Sequence, residues 1–396
     1  MKIAILGAGV VGGGVFEVLN KNRGVIAKRA GCEIEVSHIL CRRPRPEHPA
    51  ADLLRYSFED IINDPEVSVI AECMGGITPA YDYVKRSLLA GKSVVTSNKE
   101  LVAEHGRELC DIAEKMNLSF MFEAAVAGGI PVLRPICRCL AANEISSVVG
   151  ILNGTTNYIL TEMIRHGKSF NDALSEAQAK GFAEADPTAD VMGIDAGRKI
   201  CILADLCFGK EVKPKDVRTL GIDKISKVDI ELARELGYRI KLLGQAMRTG
   251  PNSVTAFVAP TLISRSNPLS SVDGVQNAVR IKGDAVGEVL LTGPGAGALP
   301  TASAVTADII DAVRGGTYMG YWPSEPGYVT DPEELSCRFM IRAEAELSSL
   351  QAILPDATVV HSRSGDFALL TAYTSEKELR SRLSEISLIS IYRVLD

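Results

Sequence analysis

The 396-residue sequence lacks any apolar run near the ~18 residues that a membrane-spanning helix needs. Its first residues, Met1-Lys2-Ile3-Ala4-Ile5-Leu6, form too short an apolar stretch for a secretory signal, and glycines follow at once. A cytoplasmic location with no membrane partner is therefore expected. Nine cysteines are scattered without a single CxxC pair, which reads as free thiols in a reducing compartment. Five histidines show no metal-ligand spacing, which argues against zinc. A basic surplus is also missing: the net charge is −6, the wrong sign for a nucleic-acid partner. There is no internal repeat and no low-complexity tract. What remains is 46% hydrophobic and 23% charged, the composition of a folded globular chain. A single core rarely organises so many residues, and domains of ~100–200 residues predict two or three of them.

Up to about Gly129, short apolar runs alternate with helix-like stretches. Strands are expected at Lys2–Leu6, Glu33–Leu40, Val67–Cys73, Lys92–Thr96 and Leu118–Glu123, with helices at Val10–Asn20 and Pro79–Ala90. That alternation predicts an α/β parallel sheet covered on both faces. After Pro131 the pattern becomes α+β: a strand at Glu144–Leu152, then helices at Tyr158–Arg165, Phe170–Lys180, Ile194–Phe208 and Val228–Leu243. Strand Val254–Ala259 and a hairpin over Asn277–Leu291 follow. A helix at Pro300–Arg314 is expected to pack back on the first domain. The expected organisation is a first domain over 1–130 and a second over 131–314. A linker over 315–334 leads to a βαββαβ tail over 335–396.

Gly7-Ala8-Gly9-Val10-Val11-Gly12 fits G-x-G-x-x-G between the first strand and the first helix. In such a Rossmann-type unit the first glycine makes the tight turn and the second admits a pyrophosphate. The third lets helix pack on strand, and the helix N-terminus faces the phosphates. NAD sites place an acid at the end of the second strand; here stand Leu40-Cys41-Arg42-Arg43. Arg42 and Arg43 suit a 2′-phosphate, so NADP is expected, with NAD possible as well; the plainer reading is a solvated basic turn.

Two further segments carry chemistry. Asp195 and Lys199 sit at i, i+4 on one face of a helix that is apolar along most of its length. Burying such a pair is costly unless it lines a cavity, and there the carboxylate can orient an ammonium that protonates an oxygen as hydride arrives. Glu184 and Asp190, nearby in sequence, offer acceptors for a substrate ammonium. Thr96-Ser97-Asn98-Lys99 ends a strand of the first domain, the edge where ligands of parallel sheets bind, so Lys99 can meet cofactor and substrate. On spacing alone it reads equally as an exposed lysine.

At this point the sequence resembles the homoserine dehydrogenase family. The resemblance rests on the glycine loop, Ser97-Asn98-Lys99, Glu123-Ala124-Ala125-Val126-Ala127-Gly128-Gly129-Ile130-Pro131 and Asn153-Gly154-Thr155-Thr156-Asn157. GFAEADP at Gly181–Pro187, then Asp195 and Lys199, complete it over residues 1–314. It implies NAD(P)-dependent interconversion of L-aspartate 4-semialdehyde and L-homoserine, towards threonine and methionine. It also implies Lys199 as proton donor, Asp195 beside it on the substrate, and Lys99 as a second active-site lysine. Glu184 and Thr155 fall at the substrate, while Gly181, Glu184, Ser97, Gly295 and Gly297 fall near the cofactor. Glu123 with the carbonyls of Val126, Gly128 and Ile130 matches a monovalent-cation (sodium-type) site, and one carboxylate suits a singly charged hard ion. The resemblance also implies that 1–130 binds the dinucleotide and that 131–314 is the catalytic and dimerisation domain of a homodimer or homotetramer. Two departures stand out. Phe182 occupies a position where many relatives carry tyrosine. The tail matches an ACT regulatory module only in element order, because Ala343-Glu344-Ala345-Glu346-Leu347-Ser348 lacks the usual glycine turn. Feedback control and a degenerate, oligomer-building tail both stay open.

Two other readings fit parts of the sequence. Another Rossmann-type dehydrogenase of a small carbonyl compound, such as one acting through a cysteine nucleophile, finds Cys137 and Cys139 without a motif. A cofactor-sensing or amino-acid-sensing regulator has no need of Glu184, Asp195 and Lys199 together.

Overall fold

The computed structural model describes residues 1–316 and 328–395. Residues 317–327 of the expected linker, and residue 396, lie outside the described residues. The chain divides into two compact units. Met1–Ser146, Cys201–Pro214 and Lys282–Pro326 make the first; Ser147–Ile200, Lys215–Ile281 and Gly327–Asp396 make the second.

The first unit is built on a parallel sheet. Its strands are β1 (Lys2–Leu6), β2 (Glu35–Leu40), β3 (Leu54–Arg55), β4 (Val67–Glu72), β5 (Ser93–Thr96) and β6 (Phe120–Met121), in the order β3-β2-β1-β4-β5-β6. Helices cover the sheet, so the central strands are apolar on both sides: Ile3 to Leu6 and Ile70, Ala71, Val94 and Val95 are fully buried. The chain crosses from one flank of β1 to the other, so the strand order reverses at β1 and β4, and in parallel sheets of this kind ligands bind beyond the carboxyl ends at such a reversal. The helix Ala298–Val313 also belongs here and lies against Val10–Lys21. A methyl group on Gly14 would come within 2.8 Å of the Ala298 carbonyl and 3.1 Å of Ala302.

Two differences from expectation bear on the site. Leu118–Glu123 shortens to the two residues of β6, because Glu123–Ala125 forms a 3-10 turn. Lys99–Lys115 is a long helix that the strand-centred reading left unassigned. Asn98 caps it by accepting the Leu101 N–H, and Leu101, Val102, Leu109 and Ala113 form its buried face.

The second unit is built on a mixed sheet. Its strands run Gln276–Gly283, Ile145–Ile151, Tyr238–Arg248, Ser253–Ser264, Leu388–Leu395, Phe339–Ala343, Phe367–Leu370 and Thr358–His361 across the sheet. Ser253–Ser264 pairs antiparallel with Tyr238–Arg248 along its length and parallel with Leu388–Leu395 through Thr261, Leu262 and Ile263. Helix Ile194–Phe208 is buried as its composition predicts, with Ile200, Ile202 and Leu203 inaccessible. The stretch Val228–Leu243 is not one helix. A capping box of Ser226 and Asp229 starts Lys227–Glu235, Gly237 (φ +85°) reverses the chain, and Tyr238 begins a strand. The tail has the expected element order, around its own core of Phe339, Ile341, Leu350, Leu369 and Leu379.

Candidate active site

In the first unit, the glycine loop joins β1 to helix Val10–Lys21. Gly7 adopts φ +112°, and a methyl group on it would sit 2.9 Å from the Cys73 carbonyl. One on Gly12 would lie 1.9 Å from the Gly7 carbonyl, so only glycine lets helix and strand meet this closely. Gly9 faces open space. It is the helix N-cap, no side chain caps the helix, and no acidic residue stands in the first turn. Val10 is 73% exposed. The helix therefore presents unpaired N–H groups and its positive end at an open loop, and these residues fit a dinucleotide pyrophosphate. Arg42 and Arg43 are exposed beyond β2, as is Arg45, whose guanidinium donates to the Ala8 carbonyl at 2.7 Å. Arg45 thus bridges the basic turn and the glycine loop, a contact invisible in sequence because 37 residues separate the two partners.

The carboxyl ends of β4 and β5 are tied together by Glu72. Its buried carboxylate accepts N–H groups from Met74 (2.7 Å) and Gly75 (3.3 Å) and the Thr96 hydroxyl. The Thr96 oxygen in turn accepts the Asn98 N–H at 2.9 Å, and Asn98 caps the helix that Lys99 opens. Burial pushes the Glu72 carboxyl above the ordinary carboxylate range, against these hydrogen bonds. Ser97 and Lys99 are half-buried at this edge.

Glu123 is also buried. Oε1 accepts the Val132 and Leu133 N–H groups at 2.6 and 2.8 Å, and Oε2 accepts Arg134 N–H at 2.7 Å. Burial raises its carboxyl, and those three donors lower it. Ala127 and Gly128 both have positive φ, which turns the chain sharply at Val126–Ile130. Val126, Gly128 and Ile130 are buried, and no described turn or loop hydrogen bond ends on their carbonyls. Buried carbonyls beside a carboxylate fit a monovalent cation. Gly295 presses on this turn: a methyl on Gly128 would lie 2.4 Å from the Gly295 carbonyl. Gly297, with φ +126°, is the N-cap of Ala298–Val313.

In the second unit, four side chains converge where strand Ile145–Ile151 meets helix Gly154–His166. Lys199 Nζ donates to Asp195 Oδ2 at 2.6 Å and to the Leu152 carbonyl at 2.8 Å. Asn153 Nδ2 donates to Asp195 Oδ2 at 2.9 Å and to Asp190 Oδ1 at 2.7 Å. Lys199 is 8% and Asp195 5% exposed, so their pairing occurs largely out of water. Thr155 Oγ1 donates to the Phe182 carbonyl at 2.7 Å, holding the GFAEADP segment against the helix start. Gly181 has φ +72° at the turn that opens that segment. Phe182 is 41% exposed and packs edge-on to Tyr158. Glu184 is exposed, and its carboxylate is not hydrogen-bonded to the Asp190–Asp195–Lys199 group among the described residues. Sequence spacing drew Asp190, Asp195 and Lys199 together but gave no role to Asn153 or Leu152, which link them.

A cation at Lys199, a carboxylate beside it and a dinucleotide loop suit hydride transfer coupled to proton transfer, and known proteins agree. The family model "Homoserine dehydrogenase, NAD binding domain" matches residues 7–123, and the model "Homoserine dehydrogenase" matches residues 131–310. The Neisseria gonorrhoeae homoserine dehydrogenase is 41% identical over 415 aligned positions, covering 98% of this chain and 95% of that protein. The crystal structure of a homoserine dehydrogenase from Thiobacillus denitrificans superposes with a TM-score of 0.94 at 38% identity, covering 100% of this chain and 98% of that one. A hyperthermophilic archaeal homoserine dehydrogenase in complex with NADPH matches 78% of this chain and 97% of its own, with a TM-score of 0.68 at 29% identity. With family models matching residues 7–123 and 131–310 and a relative 41% identical across nearly its whole length, the chain belongs to the homoserine dehydrogenases, a family of oxidoreductases.

Proposed function

We propose that this chain interconverts L-aspartate 4-semialdehyde and L-homoserine, with NADP used in preference to NAD. The observation that carries the reading is the buried Lys199 ammonium, held between the Asp195 carboxylate and the Leu152 carbonyl. The nicotinamide cofactor supplies or takes up the hydride. In aldehyde reduction Lys199 gives a proton to the oxygen that becomes the alcohol; in oxidation it takes that proton back. Asp195 keeps the ammonium oriented. Asp190 and Glu184 supply acceptors for the substrate ammonium, with Thr155 shaping that pocket. Lys99, opening a helix at the cofactor edge of the first unit, serves as the second active-site lysine.

The cofactor lies on Gly7, Gly9, Val10, Val11 and Gly12, with Ser97, Gly181, Glu184, Gly295 and Gly297 as further contacts. Arg42 and Arg43 favour a 2′-phosphate through their planar donor forks. The NADPH bound by the archaeal relative supports this cofactor class. A sodium-type cation is held by Glu123 and the carbonyls of Val126, Gly128 and Ile130. Segment 131–314 supplies catalysis and the contacts of a homodimer or homotetramer in the cytoplasm, and segment 335–396 is an ACT-like tail. The test is direct: purified protein is mixed with NADPH and aspartate semialdehyde, and the absorbance of the reduced cofactor is followed. Oxidation above background is expected, faster than with NADH; none would sink the assignment.

A further inference from the structure

We infer that Asn153 is a positioning residue for the proton-transfer pair, an inference that rests on the hydride-transfer reading above. Asn153 is 5% exposed at the junction of a strand and a helix. Its carboxamide is engaged at both ends. Oδ1 accepts the Thr156 N–H at 2.9 Å and the Thr156 hydroxyl at 3.0 Å, which caps helix Gly154–His166. Nδ2 carries two protons and meets two carboxylates, Asp190 at 2.7 Å and Asp195 at 2.9 Å.

The chemistry of a primary amide makes this more than a cap. Its two N–H bonds are fixed in one plane, so the two oxygens they bind are fixed relative to each other. Two like charges are held as neighbours by a donor placed between them. The same Asp195 oxygen also receives the Lys199 ammonium at 2.6 Å, and Lys199 reaches the carbonyl of Leu152, the residue next to Asn153. One short turn, Leu152-Asn153, therefore holds the ammonium directly and holds its counter-charge through the amide. An ammonium has three protons. With two directed at Leu152 and Asp195, the direction of the third is set, and that is the proton a substrate oxygen meets. The turn itself cannot shift easily: a methyl on Gly154 would fall 2.9 Å from the Val275 carbonyl.

Asn153→Ser separates positioning from capping. Serine caps a helix about as well as asparagine, but its hydroxyl cannot donate to two carboxylates. The variant is expected to keep the parent's Tm and KM for the cofactor while kcat falls on the order of 10²-fold, the usual result of a small misplacement at a reacting centre. The acid limb of its kcat profile should move to higher pH, because ionised Asp195 has lost a donor. In an Asp195→Ala background, Asn153→Ser should add no further loss. A crystal structure of the variant should show Asp195 turned away from Lys199. Unchanged kcat and pH profile, a kcat loss that merely follows a loss of Tm, or Asp195 and Lys199 in their original places would each overturn the inference. Should Asn153→Ser not fold, Asn153→Asp keeps the capping oxygen and carries the same readouts. An inactive parent protein would defeat the dehydrogenase reading instead, and the variant's crystal structure would still decide the role of Asn153.

Discussion

Lys199 Nζ and Asp195 Oδ2 lie 2.6 Å apart, one helical turn from each other near the start of Ile194–Phe208, a helix that is apolar along most of its length. Such a pair survives burial only because each partner answers the other's charge. Lys199→Ala is expected to lower kcat by ~10²–10⁴-fold, the usual contribution of a positioned acid. Steady-state kinetics in both directions checks this, and an unchanged rate would remove Lys199 from the chemistry.

The proposed NADP preference rests on the basic turn after β2. Arg42→Ala combined with Arg43→Ala should raise the KM for NADPH more than that for NADH, since only NADPH carries the 2′-phosphate. Arg45→Ala, which frees the Ala8 carbonyl, should raise both KM values by loosening the glycine loop. Equal effects of the double variant on the two cofactors would count against NADP preference.

Glu72 gives a pH-dependent prediction. Its carboxyl is raised chiefly by burial, so the folded chain holds this proton more tightly than the unfolded one. The group therefore costs no stability at pH values below its unfolded pKa. Stability is lost as pH rises from there through the folded value, and the cost persists at neutrality. Glu72→Gln keeps an acceptor for Met74 and Gly75 without the charge. Thermal melts should show it at least as stable as the parent at neutral pH, with the advantage vanishing in acid. A deficit independent of pH would mean that the charged hydrogen bonds outweigh burial.

Glu123→Ala should destabilise the first unit. It strands the N–H groups of Val132, Leu133 and Arg134, and an unsatisfied buried donor costs about 1–3 kcal/mol. Urea unfolding measures the loss. Sodium should stabilise the parent and leave the variant unaffected; equal sodium response would argue against the cation site.

Glu376 tests how firmly the tail is fixed. It is 3% exposed and accepts from Arg393 at 2.7 Å and from Arg380 at 2.7 Å. Glu376→Ala leaves Arg393 buried without this partner, an arrangement that costs about 3–5 kcal/mol. A large fall in the denaturation midpoint is expected, and a shift within error would show that Arg393 finds another acceptor.

The legible parts of this molecule were those written in local pattern. The parallel sheet followed from alternating apolar runs, and the glycine loop followed from three glycines at fixed spacing. Lys199 and Asp195 stood out because charge is rare on a buried helix. Long-range geometry was not legible. Nothing in the spacing of Arg45 tells that it reaches Ala8, and Asn153 reads as an ordinary helix cap until Asp190 and Asp195 fold onto it. Helix Lys99–Lys115 had its signals, the Asn98 cap and the Leu101–Val102–Leu109 face, but they followed a segment read for chemistry. Gly237 was the missed stop that turned Val228–Leu243 into a helix and a strand, since one glycine between two apolar stretches is ambiguous without knowing its φ.

The parallel pairing of Thr261, Leu262 and Ile263 with Arg393, Val394 and Leu395 bears on how relatives can differ. A module joined by a flexible tether can be gained, lost or exchanged without harm to its neighbour. Here, deleting 335–395 would strip the partner from Thr261, Leu262 and Ile263, while Arg218–Thr219 and Tyr328–Val329 still pair elsewhere along Ser253–Ser264, and would leave a short, largely apolar strand edge, the kind of edge on which chains aggregate. Shorter or longer versions of this architecture must therefore rebuild that edge, and a chimera that swaps the tail should be cut outside Leu388–Leu395, so that the strand travels with its partner.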